Sequence, residues 1–389
     1  LKKILKNKFL LHLILLKKVN SQKRNCSKNI YMLKKNRKIS VAESIREGLI
    51  MSMKKNKNVI LIGLGVDDPK GIFGTTKKID KIFLKKKRVF DFPTAENTMT
   101  GIAIGSALSG VRPVIVHQRV EFSLLSLEQI INQAAKWYFM SGGKKSVPLV
   151  IRLIIGRGWG QGPQHSQSLE TLFAHIPGLK VVCISNPKNA KGILISSIED
   201  KNPVIIFEHR WLHEVKDFVP KKYYKTKLGK AEIIKKGKHI TLISSSYMTM
   251  ECLRCAEILK KYSIQVEIVD LQSLRPLDIK TIMKSVRKTK KTLVVDNGGM
   301  MYGISSEIIS KIHENLNPRE KSKFLIKRIG LSDNPIPSTR SLAKYCYPTY
   351  DDLVDKVNKM LKTKLKIKNK LLTKNIATDQ PNLNFTGPF

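Results

Sequence analysis

The sequence predicts an α/β fold of two doubly wound domains, in which helices cover both faces of a mostly parallel sheet. Short apolar runs, typical of buried strands, alternate with segments of helical periodicity over residues 39–217, and the alternation restarts at residue 231. Between the two series lies a polar and basic stretch, 218–230, which we interpret as a linker. A chain of 389 residues also suits two domains of ordinary size.

The first domain, 39–217, is predicted to begin with a helix. Ser40 and Glu43 have the spacing of a capping box, in which each side chain accepts a hydrogen bond from the other residue's backbone amide. A long helix is expected over Ser123–Met140, and the apolar run Pro148–Ile155 is expected to be a strand buried on both faces. The remaining predicted elements are the strands 59–65, 90–93, 114–117, 181–185 and 203–208 and the helices 98–109 and 187–199.

The second, smaller domain is predicted over 231–365. Cys252 and Cys255 have the spacing of a redox or zinc pair, but they share one predicted helix, so we expect two buried thiols. Five cysteines in a chain of this length favour a reducing compartment, and we expect a cytoplasmic protein. The predicted elements are the strands 239–245, 266–270, 292–295 and 324–330 and the helices 248–262, 278–289 and 305–316.

Both ends of the chain are predicted to lie outside the two domains. Residues 1–38 form a basic extension, in which Phe9–Leu16 between lysines resembles a short signal or transit segment. A transit segment would direct the protein to an organelle matrix, whereas a mis-assigned start would make Met32 the first residue. The residues 366–389 are expected to form a tail that packs on a partner.

The formal net charge of +42 would ordinarily suggest a nucleic-acid or membrane-surface partner. Its distribution argues against this, because residues 1–40 hold 13 Lys and Arg without an acid and residues 356–374 hold eight lysines without an acid. The rest of the chain has no tight basic cluster interleaved with aromatic residues. The longest apolar run is also far shorter than the roughly 20 residues of a membrane span. We therefore expect neither nucleic acid nor a membrane as partner.

Recognised phosphate-binding and nucleophile motifs are absent from the sequence. There is no G-x-x-x-x-G-K-[ST] loop, no nucleophile elbow and no helical pair of histidine ligands. The glycines of the segment 156–162 follow a strand but lack dinucleotide-binding spacing. The sequence alone therefore indicates no self-sufficient active site.

Two polar residues follow predicted strands, where ligands bind in an open α/β sheet. Glu96 stands at the start of a helix of small residues, and a glutamate there could equally complement the helix dipole. His165 lies in the loop after the strand Pro148–Ile155, where a structural hydrogen bond is the alternative to a catalytic role.

Long motifs in the right order resemble the β subunit of the 2-oxo acid dehydrogenases, which include the pyruvate, branched-chain and acetoin enzymes. The resemblance covers about residues 39–357. It implies a transketolase-like pyrimidine-binding domain, a smaller transketolase C-terminal-like domain and an α₂β₂ tetramer. The segments that carry it are RVFDFPTAENTMTGIAIGSALSGVRPVI (88–115), QIINQAAKWYFMSGG (129–143), PQHSQSLE (163–170), PGLKVV (177–182), LQSLRPLDI (271–279) and GLSDNPIPS (330–338).

The resemblance implies thiamine diphosphate as cofactor, with the α subunit holding the diphosphate and Mg²⁺. Glu96 matches the family glutamate that hydrogen-bonds the pyrimidine and favours the imino tautomer able to remove the thiazolium proton. Phe122 matches the aromatic residue that packs on the pyrimidine, and His165 matches the histidine that assists acyl transfer to a lipoyl-bearing acyltransferase. Asp200 and Asn202 match residues of a potassium site, although a helix end and turn would equally explain them.

The sequence departs from the family at two places in the pyrimidine pocket. Where the family carries acids after the first strand, this chain has Gly63-Leu64-Gly65-Val66, with the acids displaced to the next two positions. Where many members have a methionine, it has Gln118, followed by Arg119. The pocket wall is therefore expected to be polar and basic, and pyruvate does not follow as the substrate.

Two other functions remain open at this point. A transketolase-like half-enzyme would use the same cofactor to join carbons without a lipoyl partner. A non-catalytic interaction subunit would need neither Glu96 nor His165.

Overall fold

A computed structural model describes residues 37–83, 87–157 and 160–363. The predicted transit segment and the C-terminal tail lie outside these ranges. Within the described ranges, every helix is too short or too polar to span a bilayer. The strands are β1 (Lys38–Ser40), β2 (Val59–Gly63), β3 (Val89–Asp91), β4 (Arg112–His117), β5 (Val150–Ile155), β6 (Lys180–Ile184), β7 (Val204–His209), β8 (Lys216–Phe218), β9 (Glu232–Lys235), β10 (Ile240–Ser244), β11 (Val266–Asp270), β12 (Ser273–Arg275), β13 (Lys291–Gly299) and β14 (Leu325–Leu331).

The helices of the described residues separate these strands in the α/β alternation that the sequence predicts. Ser40 caps the first helix, and its side chain and that of Glu43 form both bonds of the predicted capping box. The α-helices are α1 (Val41–Lys55), α2 (Ile79–Phe83), α3 (Glu96–Leu108), α4 (Trp137–Met140), α5 (Glu170–Ala174), α6 (Pro187–Glu199), α7 (Tyr247–Lys260), α8 (Ile279–Thr289), α9 (Ile304–Glu314), α10 (Pro318–Lys321), α11 (Arg340–Ala343) and α12 (Tyr350–Leu361). Every predicted strand overlaps a strand of the structure.

Two large sheets organise the described chain. The seven-stranded sheet has the order β12-β6-β7-β5-β4-β2-β3, and the five-stranded sheet has the order β14-β13-β10-β11-β9. Neighbouring strands are parallel except at the edges, where β12 and β9 run antiparallel to their neighbours. A separate pair, β1 and β8, is antiparallel. The predicted mostly parallel α/β architecture is confirmed.

Both faces of the seven-stranded sheet are covered by helices. Along β4, Val114 and Val116 enter one apolar cluster whereas Ile115 between them enters the other, as the alternation of side chains along a strand requires. The helices α1 and α6 pack together on the first face, and α3 packs on the second. In such a sheet ligands bind at the carboxyl edge of the strands.

The predicted long helix over 123–140 is wrong in detail, because the segment divides into three pieces. A 3₁₀ helix covers Val120–Ser126, a π-helical turn covers Gln129–Ala134, and α4 follows. Ser123 donates through its side chain to the carbonyl of Val120, a contact that suits the tighter 3₁₀ turn. Farther along, a Cβ atom on Gly178 would lie 1.9 Å from the carbonyl oxygen of Ala135, which ends the π-helical turn. The loop of Gly178 therefore packs directly against the point where the predicted helix is interrupted.

The strand β12 joins the two sheets and was not predicted. Its residues 273–275 lie between β11 and α8 of the second series, yet they pair with β6 of the seven-stranded sheet. The backbone amide of Cys183 also donates to the carbonyl of Gln272 at 2.8 Å. The second half of the chain therefore supplies an edge strand to the sheet of the first half.

The segment predicted as a linker packs on α6 over part of its length. The ammonium group of Lys191, a fully buried residue on α6, donates to Glu47 at 2.6 Å and to the carbonyl of Pro220 at 2.7 Å. Tyr224 donates to the carbonyl of Lys188. These contacts fix the start of the connection against the first sheet.

Two buried carboxyl groups lie where the two halves of the chain meet. The amide of Asn297 donates to Glu170 at 2.9 Å, and the hydroxyl of Ser185 donates to Asp270 at 2.8 Å. Burial raises the pKa of each carboxyl group to about 7. Both acids therefore change charge near neutrality at this junction.

We expect the Glu170→Gln substitution to reduce the loss of stability as the pH rises. An acid whose pKa is higher in the folded chain favours folding below its unfolded pKa of 4.5, and that contribution is lost as the pH rises through about 7. The variant should therefore exceed the parent in free energy of unfolding by an amount on the order of 3 kcal/mol at about pH 8, and by much less at about pH 5. Urea unfolding at both pH values measures this difference. Glu307→Gln, on an exposed face of α9, is the control, and identical pH dependence in parent and Glu170→Gln would contradict the prediction.

Candidate active site at the carboxyl edge of the seven-stranded sheet

The predicted site residues meet where the strands of the seven-stranded sheet end. Glu96 follows β3, Gln118 and Phe122 follow β4, and His165 follows β5. The helix α3 packs against the 3₁₀ segment Val120–Ser126, which in turn packs against the 3₁₀ turn that carries His165. The structure therefore brings the four residues to one edge, in accordance with the strand-end prediction.

Glu96 begins α3 and is 8% exposed. Within the described residues its carboxylate accepts no hydrogen bond and forms no ion pair; the polar contact of Glu96 is its backbone carbonyl, which accepts from Thr100. The residue before it, Ala95, provides no side-chain cap for the helix. A largely buried glutamate whose carboxylate accepts from no protein donor fits a role in accepting a hydrogen bond from a ligand. A glutamate that only complements the helix dipole would not need to be buried.

Phe122 and His165 lie in contact across the site. Their ring centroids are 6.1 Å apart and the ring planes meet at 71°, an edge-to-face arrangement. The Nδ1 atom of His165 contacts the carboxylate of Glu121, a residue the sequence analysis did not single out. The carboxylate accepts from Nδ1–H, so this contact fixes the ring and leaves Nε2 as the nitrogen available to a reacting group.

Gln118 supports the loop that follows β2. Its amide donates to the carbonyl of Leu64 at 2.8 Å, and a side chain on Gly65 would begin 2.9 Å from the same amide nitrogen. Gly65 has a φ of +74°, so the turn and the close approach both require glycine here. On the other side, the carboxylate of Asp91 accepts from the Gly65 amide at 2.6 Å. Where the family carries acids, this chain therefore has a backbone loop held by Gln118 and Asp91.

Arg119 extends the polar wall that the sequence predicts. Its guanidinium donates to the side-chain oxygen of Gln161, and Arg210 at the end of β7 donates to the same oxygen. Neither Gln161 nor Arg210 was found from the sequence, although both stand just beyond strands of the sheet. Their position after a strand end is the signal that the sequence offers for them.

The adjacent His117 is uncharged at neutral pH. It is buried, and burial lowers its pKa to about 4. Its Nε2 atom has no hydrogen-bond partner within the described residues. The positive charge of the wall therefore comes from the arginines.

Asp200 and Asn202 lie at the opposite, amino edge of the sheet, away from the other predicted residues. The carboxylate of Asp200 pairs with the ammonium of Lys180 at 2.5 Å, and its second oxygen accepts from the Asn202 amide. Arg112 donates to the carbonyls of Ile198 and Asp200 at 2.7 and 2.8 Å. Protein cations thus already engage these oxygens, and the described residues contain no group of three or more His, Cys, Asp or Glu able to hold a metal ion. The potassium site stays a prediction.

Two family models match the chain. The transketolase pyrimidine-binding domain matches residues 37–214, and the transketolase C-terminal domain matches residues 229–353. The first match contains every residue of the candidate site described above.

Similar proteins of known name cover most of the chain. The β subunit of the pyruvate dehydrogenase E1 component of Cyanidium caldarium is 37% identical over 322 residues, which are 83% of this chain and 98% of the relative. The β subunit of the acetoin:2,6-dichlorophenolindophenol oxidoreductase of Cupriavidus necator is 34% identical over 84% of this chain and 98% of the relative. The human mitochondrial pyruvate dehydrogenase E1 β subunit is 33% identical over 83% of this chain and 90% of the relative.

Solved structures show the same fold. A split-gene transketolase, solved as an inactive β4 tetramer, superposes with a TM-score of 0.66 at 20% identity, over 84% of this chain and 99% of its own. The transketolase of Campylobacter jejuni superposes with a TM-score of 0.61 at 16% identity, over 84% of this chain and 47% of its own. With both transketolase domains matched and a third of its residues identical to those of full-length relatives, the chain belongs to the β-subunit family of the thiamine-diphosphate-dependent 2-oxo acid dehydrogenases.

Proposed function

We propose that this chain is the β subunit of a decarboxylase that acts on a 2-oxo acid and passes the acyl group to a lipoyl-bearing acyltransferase. It would work as an α₂β₂ tetramer, with thiamine diphosphate bound between subunits and the diphosphate and Mg²⁺ held by the α subunit. The observation that carries the proposal is the Glu96 carboxylate, which has no partner within the described residues and begins a helix that packs against the segment carrying Phe122, whose ring contacts His165. The names of the relatives support the reaction class.

Glu96 would hold the proton of the pyrimidine ring nitrogen. When bound, thiamine diphosphate supplies a thiazolium carbon that attacks the 2-oxo group and accepts the electrons left by CO₂. Glu96 as a residue is 8% exposed, and a hydrogen bond between its carboxylate and a ring nitrogen is stronger in such a largely enclosed position than in water. The aromatic face of Phe122 offers an apolar support for a flat ring.

His165 would carry a proton to or from the substrate at Nε2. Glu121 accepts from Nδ1, which orients the ring. The imidazole is partly exposed, so a flexible acyl carrier could reach it from solvent. Glu121 is therefore a positioning residue for His165.

Reconstitution with the α subunit tests the proposal directly. The chain, its α partner, thiamine diphosphate and Mg²⁺ are mixed, and reduction of an artificial electron acceptor is followed across a panel of 2-oxo acids. We expect turnover that requires both subunits and the cofactor. A stable α/β complex that turns over no 2-oxo acid would contradict the proposal.

The transketolase-like half-enzyme remains the second candidate because of one observation. The arginines at the end of β4 and β7 make the pocket wall cationic, as a sugar-phosphate substrate would require. Formation of an acyl-lipoyl product excludes this candidate. A non-catalytic subunit would leave activity unchanged when Glu96 is replaced.

We also propose that the protein is cytoplasmic. The four cysteines of the described residues are buried and none forms a disulfide, in keeping with a reducing compartment. The organelle matrix is the alternative, since a mitochondrial relative exists. Localisation of a tagged full-length chain distinguishes the two.

A further inference from the structure

The segment that carries His165 lies against residues of the second half of the chain on both sides. Before His165, a side chain on Gly162 would begin 2.7 Å from Oγ of Ser338. After His165, the amide of Asn297 donates to the hydroxyl of Ser168 at 3.2 Å. The surroundings of His165 are therefore built partly from the second half, although the strand that precedes it belongs to the first.

Arg157, two residues beyond β5, reaches the second half through its side chain. It is 6% exposed, and its guanidinium lies 5.0 Å from the ring centre of Tyr247 and 4.6 Å from that of Tyr347. A third ring, that of Trp211 in the first half, has its centre 5.1 Å away. Arg157 therefore occupies an aromatic cage that both halves of the chain supply.

The aromatic cage stabilises the guanidinium of Arg157 where an acid would ordinarily do so. Within the described residues Arg157 forms no ion pair, and the hydrogen bond of its side chain is a long one from Nη1 to Sδ of Met248, at 4.0 Å. Its Nε atom has no hydrogen-bond partner there. Burying a cation is costly, and the faces of aromatic rings reduce that cost. Removing either the cation or a ring should therefore weaken the same contact between the halves.

The backbone of Arg157 is joined to the segment of His165 by the side chain of Arg210. The Nη2 atom of Arg210 donates to the carbonyl of Arg157 at 3.0 Å, and its Nη1 atom donates to Oε1 of Gln161. Gln161 precedes His165 by four residues. A displacement of Arg157 from its cage is therefore transmitted towards His165 through one buried guanidinium.

We infer that Arg157 is a positioning residue for His165, and that its aromatic cage is the contact through which the second half of the chain holds this histidine in place. Arg157 itself touches neither substrate nor cofactor. Glu121 fixes the ring of His165 and the cage fixes the backbone before it, so both contacts are needed to present Nε2 to an acyl carrier in one geometry. This inference rests on the proposed function for the role of His165 and adds a residue that maintains its position.

Two assays on the reconstituted α/β complex distinguish positioning from a general structural defect. Reduction of an artificial electron acceptor reports decarboxylation, and acylation of a lipoyl domain reports the later transfer in which His165 takes part. We expect Arg157→Met to lower kcat for lipoyl acylation by about tenfold or more, and to lower the rate of acceptor reduction much less. Arg157→Lys keeps a cation in the cage and should recover most of the acylation rate.

The matched control is Arg254→Met. The guanidinium of Arg254 lies 6.0 Å from the centre of the same Tyr247 ring, but it pairs with Glu251 on α7 and so stays within the second half. Its replacement should leave both rates as they are in the parent. Tyr347→Leu removes one ring of the cage and should show the same selective loss, which keeps the test available if Arg157→Met fails to fold. Equal losses in both assays, or no recovery in Arg157→Lys, would overturn the inference.

Chemical modification of His165 separates this inference from the proposed function. Diethyl pyrocarbonate acylates unprotonated imidazole without any turnover, and peptide mass spectrometry follows its rate at His165 in the same α/β complex. We expect faster modification in Arg157→Met than in the parent, Arg157→Lys and Arg254→Met. If no 2-oxo acid is turned over but this difference is found, the inference stands and the decarboxylase proposal fails. If 2-oxo acids are turned over and Arg157→Met matches the parent in both rates and in modification, the inference fails and the decarboxylase proposal stands.

Discussion

Glu96→Gln is expected to reduce kcat of the reconstituted enzyme by about 10²–10⁴-fold while leaving the fold intact. Glutamine has the size of glutamate but donates where the carboxylate accepts, so it cannot hold a proton at the pyrimidine nitrogen. Stability should change little, because the carboxylate has no protein partner within the described residues. The measurements are the steady-state rate of electron-acceptor reduction and the unfolding midpoint.

The matched control is Glu128→Gln. Glu128 is an exposed glutamate close along the chain, whose carboxylate accepts from Gln133, and its replacement should leave kcat unchanged. Cofactor binding by calorimetry separates a chemical defect from failure to bind. A Glu96→Gln enzyme within twofold of the parent, with the control unchanged, would show that Glu96 is not catalytic and would favour the interaction-subunit alternative.

Arg152→Met is expected to lower the free energy of unfolding by about 3–5 kcal/mol, the usual cost of leaving one charge of a buried pair unpaired. Arg152 on β5 and Glu208 on β7 are both fully buried in the middle of the sheet. Arg152 donates to Glu208 at 2.5 and 2.9 Å and to the hydroxyl of Thr75 at 2.9 Å. Burial by itself raises the pKa of Glu208, but Arg152 and then His213 lower it to about 2, so the acid is charged at neutral pH.

Urea unfolding of single and double variants measures how much this pair contributes to the free energy of unfolding. Arg152→Met combined with Glu208→Gln removes both charges and should recover part of the loss. Lys311→Met, which breaks an exposed pair with Glu314, should have little effect. Since the pKa of Glu208 is low in the folded chain, the contribution of the pair should persist above about pH 4.5 and be lost as the pH falls towards 2. A double variant less stable than Arg152→Met would contradict this account.

The core of the candidate site could be predicted because strand ends and family motifs are both visible in the sequence. Glu96 and His165 follow predicted strands, and the resemblance added Phe122 and Gln118. Gln161 and Arg210 also follow strands, but that position does not show that they meet, and they come together only once β4, β5 and β7 lie side by side. Glu121 was missed for the same reason, since its partner is 44 residues away.

The alternation of strands and helices could also be predicted from the sequence, because each strand and helix has its own hydrophobic periodicity. The division of 120–140 into 3₁₀, π and α turns was not, since the packing of Gly178 against Ala135 has no local sequence signal. The edge strand β12 is only three residues long, and its pairing with β6 depends on a surface formed about ninety residues earlier. Short elements defined by tertiary contacts are therefore the ones that escaped.

The position of β12 also sets an order for synthesis on the ribosome. The seven-stranded sheet begins at Val59 but cannot be completed until Arg275 has left the exit tunnel, although its other six strands end at His209. During that interval the backbone of β6 presents an unpaired edge of a kind that recruits strands from other chains. Nascent or truncated chains that stop between these two points should therefore be the species that chaperones bind and that aggregate first.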